Sequence, residues 1–197
     1  MQHRTPRGIR TVVAVVTTLL AFSSSTTAAR RDGGDPEPQV AVNESSGVYS
    51  VRAQFEVPQP AATALTVLTD YEQIPRFMPE VKSSRIVERS NDRLVIEQEA
   101  VARVMLFSKR VFLRLDVRIA DDEIHFRDAS GRSFNTYEGT WRVGEQHGRT
   151  TVRYELRARP AFDVPSFLLT RLFKRDALQM IERLQIEIAA RDRARAR

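Results

Sequence analysis

The chain has 197 residues, no cysteine and a formal charge of +6 from 31 Lys/Arg against 25 Asp/Glu. Without thiols there is no disulfide framework, thiolate metal site or cysteine nucleophile. The excess charge sits at the ends, because residues 48–190 carry 22 basic and 20 acidic side chains. That balance excludes the concentrated basic stripe on which phosphate-backbone binding depends, so no nucleic-acid partner is expected.

Residues 1–29 read as a secretory signal peptide. Arg4, Arg7 and Arg10 precede the apolar run Thr11 to Phe22, and small residues follow to Ala28 and Ala29. A charged start, a short apolar run and a small-residue cut site are the three parts of such a signal. The run is too short to span a bilayer, which takes about 20 residues. The expectation is export to a periplasm or to the medium. Residues 30–47, with Pro36, Pro38 and several glycines, read as a flexible linker, and 191–197 as a basic, disordered tail.

From Val48 the pattern alternates: Tyr49, Val51, Ala53, Phe55 and Val57 share one strand face. Pro58 and Pro60 end that strand, and Ala61 to Leu68 reads as a short helix. Pro75 and Pro79 leave room only for a turn or a single helical turn there. Six period-2 segments follow, at 80–90, 92–104, 109–120, 122–129, 134–144 and 149–159, most of them joined by short polar turns. Such loops connect antiparallel neighbours. With the first strand this makes about seven strands in a meander. After Pro165 the period becomes helical: Leu169, Phe173, Ala177, Met180, Leu184 and Ile188 mark one stripe of a long final helix.

This order of elements resembles the START-like (helix-grip, Bet v 1-like) α+β fold. Asp70-Tyr71 followed by Pro75-Arg76-Phe77-Met78-Pro79 resembles a segment of the polyketide cyclase/dehydrase family, whose relatives include coenzyme Q-binding Coq10-type START domains. Gly139-Thr140-Trp141 and Thr150-Thr151-Val152-Arg153-Tyr154 resemble its "G-x-W" and "T-x-V-x-Y" strands. Pro165 to Leu168, leading to Arg175-Asp176, resembles the start of its last helix. The resemblance covers residues 48–190. It implies a curved sheet wrapped around the last helix, with an apolar cavity between them for lipids, quinones, sterols or polyketides.

Chemistry-bearing patterns are scarce. His125 and His147 lie too far apart in sequence for a ligand pair, and both read as solvated. Glu97 and Glu99 share a strand face that reads as outward. No phosphate loop, nucleotide fingerprint or nucleophile elbow is present. No catalytic residue, metal or cofactor is assigned.

The candidates for ligand contact are Phe77 and Met78 between the prolines and Met105 and Phe107 at a strand turn. Tyr137 and Trp141 on a strand and Phe173, Ala177 and Met180 on the helix complete the set. Core packing is the competing reading for each. It suits Trp141 best, while Phe77, Met78 and Phe107 read as an entrance because large apolar residues in turns need a reason to be there. Arg103, Asp128 and Asn135 are the candidates for orienting a ligand's polar group. The expected function is a carrier of a hydrophobic small molecule or lipid, with transient membrane contact. A polyketide cyclase/dehydratase and a cavity-less interaction module are the alternatives.

Overall fold

The computed structural model describes residues 36–104, 107–163 and 165–197, apart from the side chains of Val104 and Phe107. The expected signal peptide and Met105 lie outside the described residues.

Eight antiparallel strands form one sheet: β1 Gln39–Ser45, β2 Val48–Val57, β3 Val81–Arg89, β4 Arg93–Val104, β5 Phe107–Ala120, β6 Glu123–Asp128, β7 Phe134–Gln146 and β8 Arg149–Pro160. The spatial order is β1-β2-β8-β7-β6-β5-β4-β3. Between β2 and β3 come helix α1 (Ala61–Thr69), a single 3₁₀ turn (Tyr71–Gln73) and α2 (Ile74–Phe77). Helix α3, Ser166–Arg195, follows the last strand. This is the helix-grip α+β fold.

Two boundaries differ from the sequence reading. Residues 39–45, assigned to the linker, form β1, which pairs along its length with β2 in a register that sets Val40 opposite Ala53 and Val42 opposite Val51. Both valines pack against the core while the other five residues of the strand stay exposed. So short and lightly buried a strand leaves little periodicity to read among its Pro, Gly and Ser neighbours. Its hairpin turn is Ser46-Gly47, both at positive φ (52° and 78°), the backbone twist a two-residue hairpin favours. The Glu44 carboxylate accepts the Gly47 N–H at 2.7 Å. The basic tail is the second correction. Helix α3 continues to Arg195 because Arg191 pairs with Asp70 at 2.8 Å and Arg195 donates to the Thr66 hydroxyl at 3.1 Å.

Alternation along each strand divides the sheet into two faces. The inner one carries Val51, Phe55 and Val57 of β2, Leu113, Leu115 and Val117 of β5, and Val152, Tyr154, Leu156 and Ala158 of β8, all buried. Against it α3 turns Leu169, Ala177, Ile181, Leu184 and Ile188. Ile181 and Ile188 are wholly inaccessible, and burying side chains of this size stabilises by about 1.5–3 kcal/mol each. The helix backbone comes closest to α1, α2, β1 and β2.

Candidate ligand site

The inner face changes character toward β6 and β7. Phe126, Tyr137 and Trp141 point inward but stay only partly buried, as do Phe173 and Met180 on α3. The smaller residues beside them on the same strands, Ile124 and Val143, are 1% and 2% exposed. These large aromatic groups thus keep part of their surface accessible where their small neighbours are sealed. The rings form one group. Trp141 and Tyr154 have centroids 4.3 Å apart, Phe126 lies 5.9 Å from Tyr137 and 6.2 Å from Tyr154, and Phe134 lies 4.8 Å from Tyr137. Tyr49 of β2 meets Phe173 of the helix at 5.1 Å.

Gly139 makes the cluster possible. It pairs with Phe126 across the β6–β7 ladder. A Cβ there would stand 2.5 Å from the Phe126 ring and collide with the Glu155 main-chain carbonyl. Only the missing side chain lets that ring lie flat over the strand.

Several polar groups of the core and of α3 have raised pKa values. Burial raises the Tyr137 and Tyr154 phenols above their ordinary value, Tyr154 by the larger margin. They therefore stay protonated and offer O–H groups in apolar surroundings. The Tyr71 hydroxyl is buried without a hydrogen-bond partner, and burial raises its pKa as well. Asp176 precedes Ala177 on α3, three residues after Phe173 and four before Met180. Burial pushes its carboxyl up, against the pull of the neighbouring Arg175 guanidinium.

Of the sequence candidates, Ala177 is buried in the core, and Tyr137, Trp141, Phe173 and Met180 are partly buried against it. Phe77 ends α2, Met78 follows it, and both pack against the core, with α2 lying against β3 and α3. Phe107 opens β5 opposite Val104.

The three polar candidates go elsewhere. Arg103 is exposed, on the opposite parity to the inward Ala100 and Ala102, and its carbonyl accepts from Arg175 at 2.9 Å. Asn135 is exposed beside a register shift in β7. The Asp128 carboxylate is occupied by the Arg114, Ser130 and Gly131 amides and the Ser130 hydroxyl, closing the β6–β7 loop. The sequence reading missed Tyr154, Tyr71 and Asp176. For Tyr154 the signal was available, since it alternates with the inward Val152 and Leu156.

The outer face of the same strands is a different surface. A shallow depression of about 570 Å³ crosses β2, β8, β7, β6 and β5 there. One row across it runs Arg52, Glu155, Thr140, His125, Arg118, and the next runs Arg157, Glu138, Arg127, Asp116. Charges of opposite sign pair between strands, as in Arg157–Glu138 at 3.2 Å. His125 sits 2.9 Å from Glu123 with its side chain half exposed. Among the described residues no group of three or more His, Asp or Glu could hold a metal ion.

Residues 57–185 match the family described as "Polyketide cyclase / dehydrase and lipid transport". The chain belongs to this family. Its fold is shared with a Thermus thermophilus protein, TTHA0849, at TM-score 0.64 and 24% identity, over 72% of this chain and 97% of that one. It is shared too with the Zhui aromatase/cyclase from Streptomyces sp. R1128, at TM-score 0.61 and 16% identity over 73% and 95% of the two chains. The STAR-related lipid transfer protein of Xanthomonas axonopodis aligns at TM-score 0.56 and 15% identity, over 78% and 99%. At such identities the likeness is one of fold. No curated protein sequence matches the chain.

Proposed function

We infer that this protein binds a hydrophobic small molecule or lipid between α3 and the inner face of β5–β8, as an exported carrier. One observation carries the reading: Phe126, Tyr137, Trp141, Phe173 and Met180 line the sheet–helix interface yet stay partly accessible, beside aliphatic neighbours sealed to a few per cent. Binding there would be driven by removing apolar surface from water, with a few hydroxyls fixing orientation. The Tyr137–Tyr154 pair and the unpartnered Tyr71 hydroxyl are the donors for a ligand carbonyl or hydroxyl. Phe77 and Met78, packed against the core at the end of α2, would border the entrance. A quinone, a polyketide and an acyl lipid all meet this description.

Asp176 gives the second reading its one specific support. A carboxyl with a raised pKa beside the aromatic wall, together with protonated tyrosines, is an acid/base set of the kind a cyclase or dehydratase uses.

The test is mass spectrometry of an organic extract of the mature protein, gently isolated from its native envelope. A stoichiometric apolar compound establishes the carrier and identifies the cargo, and Tyr154→Phe should then lower its occupancy while Asp176→Asn leaves it unchanged. A protein that comes out empty beside a positive-control carrier overturns the reading. Conversion of an offered polyketide, lost in Asp176→Asn, would establish the enzyme.

A further inference from the structure

Four large apolar residues stand exposed among the described residues, and three lie on one helix: Phe167 (60% exposed), Leu178 (38%) and Ile186 (61%) of α3. Their places are connected. Phe167, Arg171, Lys174, Leu178, Glu182 and Ile186 follow one another at intervals of three or four residues, so they run along one side of the helix. All six are exposed, while Ala177, Ile181, Leu184 and Ile188 are turned to the core.

The charge on this side is mostly positive. Arg171, Lys174 and Arg193 are exposed there, against the single acid Glu182. The helix's other acids are turned away or engaged. Asp176 pairs with Arg175, Glu187 with Arg191 at 2.6 Å, and Asp192 reaches the Thr63 hydroxyl. Thirty residues make the helix about 45 Å long, and no helix among the described residues is long and apolar enough to cross a membrane.

We propose that the outer side of α3 docks flat on an anionic lipid surface, with Phe167, Leu178 and Ile186 entering the headgroup boundary and the basic side chains contacting lipid phosphates. An amphipathic helix that combines spaced apolar anchors with Lys and Arg is the pattern that binds an interface without spanning it. Arginine and lysine stems extend alongside the anchors while their charges reach the headgroups. Nucleic acid would leave the two aliphatic anchors unused, because its backbone selects cations alone. The proposal stands apart from the identity of any bound ligand.

The test uses the full chain and phosphatidylcholine vesicles with and without phosphatidylglycerol. The chain should sediment with the anionic vesicles, and added salt should release it. The double variants Phe167→Ser/Ile186→Ser and Arg171→Glu/Lys174→Glu change only exposed side chains. Each should weaken binding by roughly tenfold or more.

Because the chain has no cysteine, Leu178→Cys accepts a single polarity-sensitive dye, and Val87→Cys on β3 provides the control at the fourth exposed apolar residue. Anionic vesicles should shift the dye at residue 178 and leave that at 87 unchanged, whatever residues 1–35 do. Any of four results overturns the proposal: no binding to anionic vesicles, equal binding by the double variants, equal response of both dyes, or a wild-type dimer that Phe167→Ser/Ile186→Ser dissociates. The last would make this side a contact between copies.

Discussion

The two faces of the sheet share every backbone bond and differ only in side-chain parity, yet they do opposite things. Between β6 and β8 the inner face holds a chain of aromatic rings with neighbouring centroids 4.3–6.2 Å apart, among them two phenols whose pKa burial raises. The outer face of the same residues is a lattice of paired charges around a shallow, polar depression. Helix α3 repeats the contrast, with Ile181 and Ile188 sealed on one side and Phe167 and Ile186 standing in water on the other. Position relative to the sheet–helix interface, more than residue type, decides what each side chain contributes to stability.

The sharpest way to break that comparison is to make one substitution on both sides of α3. Ile181→Ala should cost about 2–5 kcal/mol through lost burial and the cavity left behind. Ile186→Ala, five residues on, should stay within about 0.5 kcal/mol. Urea unfolding of the two variants measures both, and equal losses would refute the assignment of the faces. Gly139→Ala should cost about 2–3 kcal/mol, since the new methyl meets the Phe126 ring and a β8 carbonyl that cannot both move. Phe126→Ala should make that alanine easier to accept, leaving the double variant more stable than the two losses summed.

Ion pairs give smaller effects. A double-mutant cycle on Asp70 and Arg191, both about two-thirds buried, should return a coupling of about 0.5–1 kcal/mol. The outer-face pair Arg157–Glu138, with side chains 64% and 39% exposed, should return almost none.

The smallest effects are those of pH, and they have opposite signs. Arg183 bonds the Glu80 carboxylate and holds it below its ordinary value of 4.5. That contribution is present above pH 4.5 and disappears as pH falls through the lowered value. Glu80→Gln should therefore lower the urea midpoint at neutral pH and flatten its decline in acid. Asp176 is raised above 3.8, so its charged form weighs against the fold at neutral pH and relief comes as the pH falls. Asp176→Asn should raise the neutral-pH midpoint. A shift of the same sign in both variants would contradict the different placement of these carboxyls.

Much of the architecture was legible in the residues. Strict alternation such as Val111, Leu113, Leu115, Val117 has only one periodic reading, and the helical stripe from Leu169 to Ile188 fixed which side of α3 is buried. The family-like segments gave the order of the elements and led to the inner wall at Tyr137 and Trp141. The edge strand β1 was not legible, because two half-buried valines carry too little pattern. Nor were the polar groups of the interior. Arg103, Asp128 and Asn135 sit near strand ends, where a bulge or a loop decides orientation, and Asp128 was drawn into three hydrogen bonds of its own loop and one from the Arg114 amide of β5.

By itself the sequence determined the fold class, the strand order along the chain, the buried stripe of α3 and the chain's lack of thiol chemistry, because period, turn residues and composition are local properties. Only the tertiary structure decided which hydroxyls share the interior, that Gly139 makes room for Phe126, and that Phe167, Leu178 and Ile186 stand exposed on α3 with Arg171, Lys174 and Arg193 while Asp176, Glu187 and Asp192 are engaged elsewhere. Those facts depend on partners distant in sequence, 28 residues apart for Phe126 and Tyr154 and 121 for Asp70 and Arg191, and no local pattern records which distant side chain fills a given space.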